Sequence, residues 1–376
     1  MNEQFSPSAL YGLRKSLSLL LGLSASLVIF FISCEKDKDK LDPRIASIKP
    51  KGPKPAWGST ITPQMLTVIE KLESYGTPPL VTLTPEQARK APSPATAVMD
   101  VMKDYNIAPP PFNIDTVGKD IAVDEGQIHL RIYTPKTGKS VYPVIVYYHG
   151  GGWVIADLDT YNASAQALAE KTDAVLVSVA YRQAPEFKFP TAHNDSYAAY
   201  EWVMNNTASI KGDPNRIAVA GESAGGNLAA AVSMMARDKG VKIPVHELLV
   251  YPIADYNFNS ASYQLYADAK PLNRPLMQWF FGHYLPNPAA RSDPKISLVK
   301  ANLKGLPSTT IIAAEIDPLL SEGQLLADKL KEVSVAVTYK KYVGVTHEFF
   351  GMASVIPEAI HAQELAVREL KKAFNK

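Results

Sequence analysis

Residues 216–226 read RIAVAGESAGG, and the chain continues NLAAAVSMMARDKG. The first half is a short apolar strand and the second opens a small-residue helix. Between them, Gly221-Glu222-Ser223-Ala224-Gly225 fits G-x-S-x-G. Glycines on both sides let the backbone turn sharply from strand to helix, which pushes the Ser223 hydroxyl out above the sheet. The bland alternative for such a turn is a backbone cradle for an anion.

Working outward, VIVYYHGGG (Val144–Gly152) and AVLVSVAYR (Ala174–Arg182) are continuous β-branched and aromatic runs, as in strands buried on both faces. IHLRIYTP (Ile128–Pro135) alternates like a half-buried strand. HELLVYPIAD (His246–Asp255), STTIIAAEID (Ser308–Asp317) and VTYKKYVG (Val337–Gly344) add three more strands. TYNASAQALAEKT, SYAAYEWVMNN, SEGQLLADKLKEV and PEAIHAQELAVRELKKAF are helices between or after them. This alternation predicts an α/β fold, a mostly parallel central sheet with helices on both faces. The stretch from about 256 to 291 breaks the rhythm with an aromatic, helix-like segment, LMQWFFGHYL, and reads as an insertion over the sheet. Ahead of the sheet, Met65, Leu66, Ile69 and Leu72 recur at helical spacing, and Thr84 with Gln87 forms a helix-start signal.

Three consecutive glycines follow His149 at the end of one strand. Their N–H groups are unshielded, so Gly151 and Gly152, with the N–H of Ala224, can face a developing oxyanion. His149 itself reads as a residue that orients this loop. A serine nucleophile needs a base, and the base needs an orienting carboxylate. In chain order the serine comes first, then the acid, then the histidine. His347, in the loop YVGVTHEFFGM after the last strand, is the candidate base. His246 opens a strand, His283 lies in the insertion and His361 lies on a helix face, so they fit less well. Asp317 is the favoured acid, with Glu315 and Asp255 also near strand ends. The pairs His246-Glu247 and His347-Glu348 do not continue to HExxH, so no metal or other cofactor is expected.

The front end has a different character. Arg14 and Lys15 precede an apolar run, Leu17–Ile32, short against the roughly 20 residues of a span. Ser33 then meets Cys34, the only cysteine in the chain, and EKDKDK follows. This resembles a bacterial lipoprotein signal, in which such a cysteine carries lipid, although Phe31 stands where leucine is favoured. A signal-anchor helix is the alternative. Both readings export the protein to the bacterial cell envelope, on the periplasmic side or the cell surface, and tether it to a membrane. The charged and proline-rich stretch to Gly58 reads as a tether. The expected organisation is therefore 1–33 signal peptide, 34–58 lipidated cysteine and tether, 59–112 N-terminal cap helices, and 113–376 catalytic unit. A formal net charge of +2 gives no reason to expect a nucleic-acid partner.

HGGGW (149–153), YRQAPEFKFP (181–190), GESAGGN (221–227), DPLLSEG (317–323) and VTHEFFGM (345–352) occur in this order. Together they resemble the bacterial hormone-sensitive-lipase family of esterases, which have the α/β-hydrolase fold. The resemblance implies a triad of Ser223, Asp317 and His347, with Gly151, Gly152 and Ala224 as the oxyanion hole. It implies a two-part helical cap made of the N-terminal helices and the insertion. It also implies ester hydrolysis and allows a homodimer, and the aromatic residues of the cap point to short- to medium-chain acyl esters, acetyl included. Glu222 and Glu348 depart from the residues more usual in the family, Asp and Gly. A non-catalytic small-molecule binder on the same scaffold is an alternative, but His347 argues for an enzyme. A related-fold peptidase is a further one, although no propeller-like repeat precedes the hydrolase part.

Overall fold

The structure, a computed structural model, describes residue 1 and residues 43–375. The expected signal peptide, Cys34 and the first part of the tether lie outside the described residues. The chain divides into two units, residues 1–46 and 47–376. In the first, Pro43–Ala46 form one helical turn. Among the described residues no helix is long and apolar enough to cross a membrane.

The second unit begins inside the stretch expected to be a tether. Ile48 is buried, and the N–H groups of Lys51 and Gly52 donate to the Glu70 carboxylate at 2.8 and 2.7 Å. Gly58 is buried against Ile61 and Ile316. Residues 47–58 are therefore packed on the unit. One apolar anchor and a carboxylate that accepts two backbone N–H groups suffice, and neither disturbs the polar composition from which a tether was read.

Eight strands form one sheet: β1 Ile114–Val123, β2 Gly126–Pro135, β3 Tyr142–Tyr148, β4 Val175–Ala180, β5 Gly212–Glu222, β6 His246–Val250, β7 Ser308–Ile316 and β8 Val337–Thr346. Their order is β1-β2-β4-β3-β5-β6-β7-β8. The pairs β1–β2 and β2–β4 are antiparallel, and every later pair is parallel. All of β3 is buried, as its unbroken apolar run predicts. β1 was not expected from the sequence. It is an edge strand with most residues exposed on both faces, so no apolar alternation marks it.

Helices α4 (Asn162–Thr172) and α10 (Pro357–Phe374) pack on one another and on the sheet. On the other side lie α5 (Thr191–Asn206), α6 (Ala224–Asp238) and α9 (Leu320–Glu332). α6 is almost wholly buried. Its small residues let it press onto the strand ends: a Cβ on Gly225 would fall 2.0 Å from the Tyr148 carbonyl oxygen, so only glycine fits there. Arg182, after β4, donates from Nε and Nη2 to the buried Asp195 of α5 at 2.9 and 2.7 Å. Such a bidentate, shielded pair fixes geometry more than it adds stability.

Ahead of the sheet, α1 (Pro63–Ser74), α2 (Pro85–Lys90) and α3 (Pro94–Asp104) form the expected helical segment. The Thr84–Gln87 capping box is present. Arg89 of α2 ties this segment to the loops after β3 and β4, donating to the carbonyls of Val154 at 2.8 Å and Ala184 at 2.7 Å. The insertion carries α7 (Ala261–Leu265) and α8 (Arg274–Tyr284). Tyr284 stacks on Trp153 with ring centroids 4.5 Å apart, so α8 packs against the glycine-rich loop.

Candidate active site

Ser223 sits between β5 and α6 with φ +57° and ψ −118°. A non-glycine residue pays about 1–3 kcal/mol for such a conformation. The surroundings hold it: its N–H donates to Val250 at 2.9 Å, and its carbonyl accepts from Asn227 at 3.1 Å and Ile253 at 3.2 Å. Asn227 is locked in turn, donating to the carbonyls of Ile253 and Ile296 and bonding His193 through Oδ1 at 3.0 Å. The strand-to-helix turn expected from G-x-S-x-G is thus built, with the serine at its apex.

The glycine loop after β3 turns back over this apex. Gly151 and Gly152 have φ +95° and +59°. A Cβ on Gly152 would fall 2.2 Å from the Phe280 ring of α8. The N–H groups of Gly151 and Gly152 make no backbone hydrogen bond, and that of Ala224 lies in the first turn of α6, where helix N–H groups have no intrahelical acceptor. His149 is buried, stacked on Tyr181 with centroids 4.3 Å apart, and bonded through Nδ1 to the Gly150 carbonyl at 2.8 Å. Burial lowers its pKa to about 4, so it is a neutral support for the loop.

His347 follows β8 and Asp317 follows β7. Their side chains meet at 2.6 Å, Nδ1 to Oδ2, both buried. Asp317 Oδ1 accepts from the Leu319 N–H at 2.8 Å. The other two candidate acids are engaged elsewhere. Glu315 accepts from the Gly344 N–H at 2.8 Å, and Asp255 lies 3.9 Å from Lys300 Nζ. A cavity of about 520 Å³ is lined by Asp255, Arg274, Arg291 and Lys300, among others, but not by Ser223, Asp317 or His347. Burial alone lowers the pKa of His347, but the Asp317 charge and hydrogen bond, with the charges of Glu348 and Glu222, outweigh it, and the net shift is upward from 6.5. Its Nε2 is buried without a partner, and the Ser223 hydroxyl is not bonded to it in this structure. Tyr251 links their surroundings: it directly follows Val250, which holds Ser223, and its ring lies 4.4 Å from that of His347.

A sequence model of the alpha/beta hydrolase fold matches residues 145–351, more than half of the chain. The chain belongs to the α/β-hydrolase family of esterases. It is 38% identical over 264 residues to carboxylesterase NlhH of Mycobacterium tuberculosis, covering 69% of this chain and 82% of that one. It is 31% identical over 253 residues to an ethyl acetate hydrolase of Pseudomonas putida, covering 66% and 80%. A thermostable esterase from Pseudomonas putida has a solved structure that superimposes with TM-score 0.78 at 32% identity, covering 86% of this chain and 99% of that one.

In this esterase the two departures noted in the sequence both surround His347, Glu348 next to it and Glu222 behind the Tyr251 ring that lies against it. The buried Glu222 carboxylate accepts from Tyr147 at 2.5 Å and from Tyr251. Burial first, and the Glu348 charge second, raise its pKa to about 7. Glu348 accepts from Tyr161 at 2.7 Å and lies 3.9 Å from His347 Nε2. The three tyrosines were not singled out from the sequence, where they look like ordinary core aromatics. Tyr147 and Tyr251 stand at the ends of strands that flank β5, and that placement was the available signal.

Proposed function

We propose that this esterase hydrolyses short- to medium-chain acyl esters, acetyl esters included, through an acyl-enzyme on Ser223. The observation that carries the reading is the 2.6 Å bond between His347 and Asp317, which follow β8 and β7 in the same sheet whose strand β5 leads into the strained Ser223 turn. Asp317 fixes the imidazole with its proton on Nδ1, so Nε2 is the acceptor. Closing of the Ser223–His347 gap is expected on substrate binding, because such bonds are often loose without substrate. His347 then takes the Ser223 proton as Oγ attacks the ester carbon. The oxyanion is held by the N–H groups of Gly151, Gly152 and Ala224. The alcohol leaves with the proton from Nε2, and water releases the acid.

The short-acyl preference rests on crowding. Phe280 lies against Gly152, and Phe258 and Phe281 pack edge to face at 5.5 Å. A series of p-nitrophenyl esters tests it. The acetyl and butyryl esters are expected to exceed the palmitoyl ester in kcat/KM by at least about tenfold; a rise toward palmitoyl would refute the preference.

We further propose that Cys34 is lipidated and that the enzyme is held at the cell envelope. The support is the order of basic pair, apolar run, Ser33 and Cys34. Cells fed labelled palmitate should label the wild type and not Cys34→Ala; equal labelling rules out lipid at Cys34.

A further inference from the structure

His347 Nε2 has to serve two steps. It takes a proton from Ser223 during acylation, and from water during deacylation. In the second step Ser223 Oγ is esterified and no longer has a proton to give. Something must then hold the water at Nε2, and the structure places one acidic side chain there.

We propose that Glu348 is a positioning residue that orients the hydrolytic water for deacylation; this rests on the acyl-enzyme reading above. Glu348 Oε1 lies 3.9 Å from Nε2, too far for a direct bond. A single water making two hydrogen bonds of about 2.8 Å spans that gap at close to a right angle. Nε2 is buried with no partner of its own, so a water there meets two acceptors. The Glu348 side chain is 19% exposed, which leaves a route for that water from solvent.

The carboxylate is held in place. Tyr161 donates to Oε1 at 2.7 Å. The Tyr161 hydroxyl is wedged against the oxyanion loop, since a Cβ on Gly150 would fall 2.2 Å from it. The backbone of Glu348 is left-handed, φ +73° and ψ 0°. Glycine takes that conformation freely, whereas a glutamate there is strained. The side chain is kept at a position where the backbone favours its absence.

In the step itself, one O–H of the water donates to Nε2 and the other to Glu348. The water oxygen attacks the acyl carbon as its first O–H bond breaks and that proton passes to Nε2. The oxyanion forms against Gly151, Gly152 and Ala224. It collapses with cleavage of the bond from the acyl carbon to Ser223 Oγ, and Nε2 returns its proton to Oγ. The second water proton leaves on the carboxylic acid.

Glu348→Gly, assayed by stopped flow with p-nitrophenyl butyrate, tests this. Because kcat/KM reports only steps through acylation, it should stay within about twofold, while kcat and KM fall together by about tenfold. A burst approaching one p-nitrophenol per enzyme should precede the slow phase. Tyr161→Phe should shift kcat the same way by a smaller factor, and it carries the readout if Glu348→Gly does not fold. A fall in kcat and kcat/KM by the same factor without a burst, or no change in either, overturns the proposal while Ser223→Ala remains inactive. If Ser223→Ala is active and no variant shows a burst, the acyl-enzyme reading itself is what failed.

Discussion

Ser223→Ala is expected to lower kcat/KM for p-nitrophenyl butyrate by about four to six orders of magnitude, with folding intact. In the proposed mechanism the hydroxyl oxygen is the atom that bonds to the acyl carbon, and alanine removes it. The one cysteine in the chain, Cys34, lies far ahead in sequence and outside the described residues. Residual activity should come from the N–H groups of Gly151, Gly152 and Ala224, which still stabilise the oxyanion of direct water attack. The fold should tolerate the change, because the turn is held by backbone bonds to the Val250 carbonyl and from the Asn227 and Ile253 N–H groups that alanine keeps. Activity above about one per cent of wild type, with no contaminating esterase, would remove Ser223 from the mechanism.

Asp317→Asn has the second-largest expected effect, a loss of about 10⁴ in kcat. Asparagine preserves the size of the side chain but turns an N–H toward His347 Nδ1, so the imidazole proton is forced onto Nε2 and the base is lost. The pH profile gives an independent check with a definite sign. In the proposed mechanism His347 acts as a base only when neutral, so activity is expected to fall as pH drops through its pKa. In the wild type that pKa is raised from 6.5 because burial, which lowers it, is outweighed by the Asp317 charge and hydrogen bond together with the charges of Glu348 and Glu222. Removing the charge leaves burial less opposed, so the acid limb of the residual activity should move to lower pH. Asp255→Asn and Glu315→Gln should each cost less than about tenfold, since their carboxylates meet Lys300 and the Gly344 N–H rather than His347. A greater loss in Asp255→Asn than in Asp317→Asn would make Asp255 the acid.

The parts of this molecule that sequence reveals are those whose physics is local. The central strands are buried on both faces, so Val144–Tyr148 and Val175–Ala180 appear as unbroken apolar runs. The turn at Ser223 needs glycine within two residues on each side, and that too is local. The edge strand β1 has almost no buried face, and nothing in its pattern distinguishes it from a loop. Residues 47–58 are held by Ile48 and by contacts to Glu70, partners their own composition does not reveal. The sequence favours Asp317 over Glu315 and Asp255 but does not decide among them, because each lies at or near the end of one of two neighbouring strands. Only the side-chain geometry separates them, through one 2.6 Å contact. The tyrosines around Glu222 and Glu348 were hidden for the same reason. Tyr147 and Glu222 are 75 positions apart, and Tyr161 and Glu348 are 187 apart.

The claim that Ser223 is the nucleophile is tested most directly by covalent trapping. The full-length enzyme is treated with an alkyl fluorophosphonate and its intact mass and peptide map are recorded. One phosphonyl group per chain, located on the peptide that contains Ser223 and absent from Ser223→Ala, is the predicted result. An adduct that persists in Ser223→Ala, or an enzyme that keeps full activity while Ser223 is phosphonylated, would contradict it.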